Sequence, residues 1–223
     1  IACGFHAGDP SVMRRTIKLA KERGIAVGAH PGFPDLMGFG RRSMEIKAVD
    51  LENYIIYQVG ALDAFVKVEG MVLQHVKPHG ALYNMAWTRR DYAEAIVRAI
   101  KLYKPSLILI APYGSEMQKV AEEMGIKVAF EGFADRNYRS DGRLVPRSHP
   151  QALVHNVDEA VERAIRMVSE GKVRTIEGKD IDIIAHTICI HGDSPNAIEM
   201  VRKLRTRFKE VGIEILPLRE FIK

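Results

Sequence analysis

Cysteine is nearly absent. The 223 residues contain only Cys3 and Cys189, at opposite ends of the chain, which excludes the disulfide framework on which small secreted domains depend. A reducing, cytoplasmic compartment is the expectation. Long apolar runs are missing too: the longest, around residues 107–112, falls far short of the roughly 20 residues a membrane-spanning helix needs, and no secretory leader pattern stands at the start. Neither sign of charge dominates, with 33 Lys plus Arg against 28 Asp plus Glu and a net charge of +5. The densest basic run, 201–209, alternates with apolar residues at helical spacing and lacks an aromatic recognition motif, so it reads as a solvated helix face rather than a nucleic-acid surface. Three catalytic signatures are also lacking: Cys-x-x-Cys, His-Glu-x-x-His and Walker A. Glu177-Gly178-Lys179-Asp180 has neither the upstream glycine nor the hydroxyl residue of a phosphate-binding loop.

What is present is an ordinary globular composition, 47% hydrophobic and 27% charged, without repeats, low-complexity linkers or a composition shift. One domain over 1–223 is expected. Short β-branched runs alternate with longer amphipathic stretches, the pattern of βα units around a mostly parallel sheet. Strands are expected near 1–3, 25–29, 72–76, 107–110, 127–130, 187–190 and 214–216, and helices near 11–23, 48–69, 90–103, 115–124, 158–170 and 196–210. Asp9-Pro10-Ser11 signals a helix start, and Gly24 and Gly125 signal helix ends. A small hairpin is expected within 173–184, and 136–150 reads as a long polar connection suited to covering a site.

The chemistry-bearing residues sit where strands end: Cys3-Gly4-Phe5-His6-Ala7-Gly8-Asp9, Ala29-His30-Pro31-Gly32, Lys77-Pro78-His79-Gly80 and Cys189-Ile190-His191-Gly192-Asp193. In βα architectures the loops after the strands gather on one face, so His6, His30, His79 and His191 are expected to converge. Structural roles are expected for His75, His149, His155 and His186. Asp9, Asp35, Glu131, Asp135 and Asp193 lie near the same strand ends and offer the acid, base or metal-ligand partners that imidazoles need. Their pairing is not readable, and Asp9 and Asp193 also fit helix capping. Lys77 is placed to polarise a carbonyl or hold a phosphate, and Arg41 and Arg42 to clamp a carboxylate. Both cysteines read as buried packing residues, as do Met13, Met117, Met124 and Met167. A His/Asp metal site stays open.

Taken together, Ile1-Ala2-Cys3-Gly4-Phe5-His6-Ala7-Gly8-Asp9, His30-Pro31-Gly32 through Gly40-Arg41, Lys77-Pro78-His79-Gly80-Ala81-Leu82-Tyr83, Glu131-Gly132-Phe133-Ala134-Asp135-Arg136 and Ile190-His191-Gly192-Asp193 resemble the LamB/YcsF family, in order and over nearly the whole chain. The resemblance implies an irregular seven-stranded β/α barrel similar to the glycoside hydrolase and deacetylase folds. It also implies a further strand before Ile1 bearing an Asp-x-Asn-x-Asp-x-Gly-Glu type motif. The implied activity is the ATP-dependent opening of 5-oxoproline to L-glutamate, with ATP and Mg serving a complex that includes two further subunits, B and C. Self-association and a bound metal are left open. On that basis the expected catalytic residues are His6 with Asp9 for proton transfer, His30 and His79 for positioning water or a metal, and Lys77 for oxyanion or phosphate stabilisation. Arg41 is expected to take the substrate carboxylate, with Tyr83, Asp135, His191 and Asp193 also binding substrate. Two competing readings are a metal-assisted deacetylase or amide hydrolase, and a non-catalytic ligand-binding scaffold.

Overall fold

Asp9 starts the first helix. Its Oδ1 accepts from the backbone N–H groups of Ser11 and Val12, both at 2.9 Å, and Pro10 occupies the first turn, where no intrahelical N–H is needed. Helix α1 therefore runs Pro10–Glu22 and buries Met13 and Ile17. The computed structural model describes residues 1–193 and 196–223, arranged as two compact units: 1–129 with 217–223, and 130–216.

In the first unit, strand β1 (Val27–Ala29) pairs parallel with β2 (Leu73–Val76), and β2 pairs parallel with β3 (Ile108–Ala111). Leu109 N–H donates to the Lys127 carbonyl at 2.8 Å, leading into β4 (Val128–Phe133), whose later residues belong to the second unit. Opposite His75 on β2 stands Gly28, where the register shifts. A Cβ at Gly28 would lie 2.0 Å from the His75 ring, so the glycine makes room for that side chain.

The helices bury regular stripes. Helix α2 (Ala48–Val68) buries Leu51, Ile55, Val59, Leu62 and Val66, spaced by three or four residues on one face. Each such side chain contributes about 1.5–3 kcal/mol relative to exposure. Helix α3 (Gly80–Ala86) is followed by α4 (Arg90–Tyr103) and α5 (Glu116–Met124). Ser115 caps α5 through its hydroxyl, and Gly125 closes it in the left-handed conformation at φ 72°.

In the second unit β4 pairs parallel with β7 (Thr187–Cys189), Phe133 standing opposite Cys189. Helices α6 (Val157–Ser169) and α7 (Ala197–Glu210) enclose a cluster containing Ala160, Val161, Ala164, Met200, Leu204 and Phe208. The basic residues of the run 201–209 lie on the solvated side of α7, while Leu204 and Phe208 of the same run face the cluster; Arg207 pairs with Glu162 at 2.9 Å and with Glu210 at 2.8 Å. Strands β5 (Lys172–Arg174) and β6 (Asp180–Asp182) form the expected hairpin.

The α/β class with parallel strands is as read from sequence, but two of the expected strands are not formed. Residues 1–3 give only a single parallel bridge, Ala2 to His30. Residues 214–216 form no strand, and Ile215 and Leu216 stay exposed, with no layer among the described residues burying them. Helix α3 is an addition to the elements expected from sequence.

Candidate active site

The pairing of β1 with β2 sets Ala29 opposite Val76, so the residues that follow each strand emerge side by side. Lys77 N–H donates to the Ala29 carbonyl at 2.9 Å and His79 N–H to the Pro31 carbonyl at 2.8 Å. These bonds bring the rings of His30 and His79 together. His30 Nδ1 lies 2.6 Å from the Lys77 carbonyl oxygen, His30 Nε2 lies 2.9 Å from His79 Nδ1, and His79 Nε2 lies 2.7 Å from the Phe39 carbonyl oxygen. His6 stacks on His79 with ring centroids 3.8 Å apart and planes 3° from parallel. Its Nδ1 is buried and has no hydrogen-bond partner. Burial, with the cationic form of His79 as the next cause, holds the His6 imidazole neutral down to about 3, and burial also holds His30 well below the usual histidine range.

A tight loop closes over these rings. Buried Asp35 accepts from Gly38 N–H at 2.9 Å and from Arg42 Nε at 3.0 Å, and the Arg42 guanidinium holds the Asp35 carboxyl down at about 2. The loop then turns through Phe39, at φ 53°, and Gly40, at φ 64°. The Phe39 ring meets the His6 and His79 rings edge-on, at 5.6 and 5.2 Å, and the Arg41 guanidinium lies over Phe39 at 5.0 Å. Gly40 and Gly80 approach so closely that a Cβ at Gly80 would stand 2.6 Å from the Gly40 carbonyl oxygen. That carbonyl accepts from Ala81 N–H at 2.9 Å.

The second unit repeats the logic with a different pair. Asp135 follows β4 and His191 follows β7, and because those strands pair, the two residues meet. Both Asp135 oxygens lie within 3.0 Å of His191 Nδ1, and Oδ2 also accepts the His191 backbone N–H at 2.9 Å. Asp135 is 2% exposed, while the His191 ring is partly open and stacked on Phe133 at 5.9 Å. A carboxylate that accepts from Nδ1–H fixes the tautomer and leaves Nε2 as a base. Nearby, Arg136 is buried and ties down the loop after β4 by donating to the carbonyls of Val145, at 2.6 Å, and Ala152, at 3.2 Å.

Of the residues expected from sequence, His6, His30 and His79 form one cluster, with the Lys77 main chain and Arg41 beside it. Asp9 is not hydrogen-bonded to His6; its Oδ1 caps α1 and the residue is exposed. Tyr83 is buried on α3 against Trp87. Asp135 and His191 form the second pair, and Asp193 is exposed two residues later; the Ser194-Pro195 step after it lies outside the described residues. Arg42 serves Asp35 rather than standing ready for a substrate. His75, His149 and His186 have structural settings as expected: His75 against Gly28, and the other two accepting backbone N–H groups of Gln151 and Phe130 at 3.1 Å. Of the two cysteines expected to be buried, Cys3 is, whereas Cys189 is only partly so. Phe39 is the residue that sequence reasoning misses, and its only signal is its place between Gly38 and Gly40.

Comparison with known proteins gives a consistent result. The LamB/YcsF family model matches residues 1–223. The 5-oxoprolinase A subunit of Pyrococcus furiosus is 52% identical over 223 residues, covering 100% of this chain and 88% of the relative. That of Bacillus subtilis is 51% identical over 220 residues, covering 99% of this chain and 86% of the relative. The crystal structure of a lactam utilization protein from Thermus thermophilus superposes with a TM-score of 0.91 at 45% identity, covering 97% of this chain and 86% of that one. The chain belongs to the LamB/YcsF family.

Proposed function

We propose that this chain is the A component of a multi-subunit 5-oxoprolinase, which opens the lactam of 5-oxoproline to L-glutamate while ATP is hydrolysed to ADP and phosphate. The observation that carries this reading is the 52% identity, over the entire chain, with a relative named as the 5-oxoprolinase A subunit. The chemistry explains the use of ATP. Closure of a five-membered lactam is intramolecular and favoured by proximity, so unaided hydrolysis has little driving force. Transfer of the γ-phosphoryl group to the lactam oxygen makes the ring carbon electrophilic. Water adds there, the C–N bond breaks as its nitrogen takes up a proton, and a second water releases the phosphate.

His191, oriented by Asp135, suits the proton-transfer role better than His6 with Asp9, because among the described residues the first imidazole has a carboxylate partner and the second has none. Arg41, beside the imidazole cluster, suits the substrate carboxylate, and Lys77 the developing negative charge. The three-imidazole cluster favours a second reading, an amide hydrolase that works with a metal and without ATP.

The test is glutamate formation from 5-oxoproline by this chain together with its two candidate partner subunits, with and without ATP. ATP-dependent glutamate supports the first reading. ATP-independent product abolished by a chelator supports the second, and no product in either arm removes both. If the assignment of His191 holds, His191→Gln lowers kcat by about 100-fold or more, with KM little changed.

A further inference from the structure

His30 and His79 have more acceptors around them than two neutral rings can serve. A carbonyl oxygen only accepts, so His30 Nδ1, 2.6 Å from the Lys77 carbonyl, and His79 Nε2, 2.7 Å from the Phe39 carbonyl, must each carry a hydrogen. A neutral imidazole has one hydrogen, and each ring has then used its own. The remaining nitrogens, His30 Nε2 and His79 Nδ1, face each other at 2.9 Å as two lone pairs. A third proton between them would create an imidazolium in a largely buried cluster, and desolvation opposes that charge.

We propose that His6, His30 and His79 hold a divalent transition-metal ion of the zinc class, with His30 Nε2 and His79 Nδ1 as the anchoring ligands and His6 as the third. A cation bound by both nitrogens removes their repulsion without a proton, once the rings part from 2.9 Å to the roughly 3.4 Å that two tetrahedral Zn–N bonds require. Four further observations agree. One ligand nitrogen from each of the three histidines lies within 4.8 Å of the others, and tetrahedral Zn–N bonds of about 2.0–2.1 Å separate ligand atoms by about 3.4 Å. The outer nitrogens of His30 and His79 donate to main-chain carbonyls, the arrangement that fixes tautomer and ring orientation in metal-bound histidine. His6 is 3% exposed, and its Nδ1 has no hydrogen-bond partner. Around the rings, Gly32 and Gly40 leave space that a side chain would take: a Cβ at Gly32 would lie 2.8 Å from His6 Nδ1, and one at Gly40 2.8 Å from His79 Cδ2.

The donor set also selects the ion. Among the described residues the donors are three imidazole nitrogens, a set that favours zinc, cobalt or nickel over magnesium or calcium. Because His6 is stacked flat on His79, it must tilt out of the stack to bind, which makes it the adjustable ligand of the three. Three protein ligands leave a fourth position for water or a carbonyl oxygen.

The test needs neither partner subunits nor activity. The purified chain is stripped with a chelator and titrated with Zn2+, Co2+ and Mg2+ by calorimetry, with elemental analysis after gel filtration and the visible spectrum of the Co2+ form. The expected result is about one zinc or cobalt per chain, absorption bands of nitrogen-coordinated cobalt, and no competition by excess Mg2+. His30→Gln and His79→Gln weaken binding by more than about tenfold, His6→Gln weakens it less, and His149→Gln, on an exposed loop, leaves it unchanged. Circular dichroism checks that each variant is folded, and the wild-type cobalt spectrum reports the ligands should one of them not fold. Sub-stoichiometric binding to the wild type, displacement by Mg2+, or affinity unchanged in folded His30→Gln and His79→Gln would overturn the proposal.

Discussion

His79 Nε2 lies 2.7 Å from the main-chain oxygen of Phe39, which is the one non-glycine residue at positive φ among those described. A left-handed conformation costs a non-glycine residue about 1–2 kcal/mol. Here it turns the carbonyl toward His79 and the aromatic ring over His6. Phe39→Ala keeps the carbonyl and removes the cover. Diethyl pyrocarbonate should then modify His6 and His79 several times faster than in the wild type, as read by peptide mass mapping; equal rates would show that the ring shields neither.

Gly80→Ala places a methyl group 2.6 Å from the Gly40 carbonyl oxygen at a residue with φ 56°. Strain and overpacking together should lower stability by about 2–4 kcal/mol. Urea unfolding measures this, and Gly142→Ala is the comparison, since it shares the positive φ but has nothing within 4 Å. Similar losses in the two variants would mean that backbone conformation alone accounts for the effect.

The Asp35–Arg42 pair sets an acid limit on the loop over the imidazoles. Arg42 and backbone N–H groups depress the Asp35 carboxyl to about 2, below its unfolded value of about 3.9. A lowered carboxylate contributes stability that is fully present above the unfolded value and lost as pH falls through the folded one. The stability difference between wild type and Asp35→Asn should therefore be constant above about pH 4 and shrink between about pH 4 and 2. A difference that persists unchanged to pH 2 would contradict the pairing.

Cys3 is 1% exposed, its Sγ donates to the Ile1 carbonyl at 3.2 Å, and burial pushes its thiol up to about 11. Only the thiolate is strongly nucleophilic. Iodoacetamide at pH 8 should leave Cys3 unlabelled in the folded chain and label it fully in denaturant; rapid native labelling would show that the strand end opens.

Much of the fold is legible in local sequence, because caps and turns are decided by neighbours. Asp9-Pro10-Ser11, Ser115 and Gly125 each do in the structure what their chemistry dictates, and Gly178 sits in the turn of the 172–182 hairpin. Pairings are not legible. Asp135 and His191 stand 56 positions apart and meet only because β4 pairs with β7, and Arg42 reaches Asp35 through a turn that no periodicity announces. Helix α3 is hard to see in the sequence because it is 7 residues long and opens on a glycine, which argues against helix when read alone. The run 214–216 misleads because apolar character marks burial only when another layer is there to receive it.

Trp87 is the chain's single tryptophan. It is 9% exposed in the first unit, edge-on to Tyr83 at 6.1 Å, whereas residues 130–216 contain one aromatic phenol, Tyr138. Indole emission therefore follows the first unit alone, while helical ellipticity draws also on α6 and α7 of the second. Denaturation recorded through both signals separates the cohesion of the unit that carries the imidazoles from that of the unit that carries the Asp135–His191 pair.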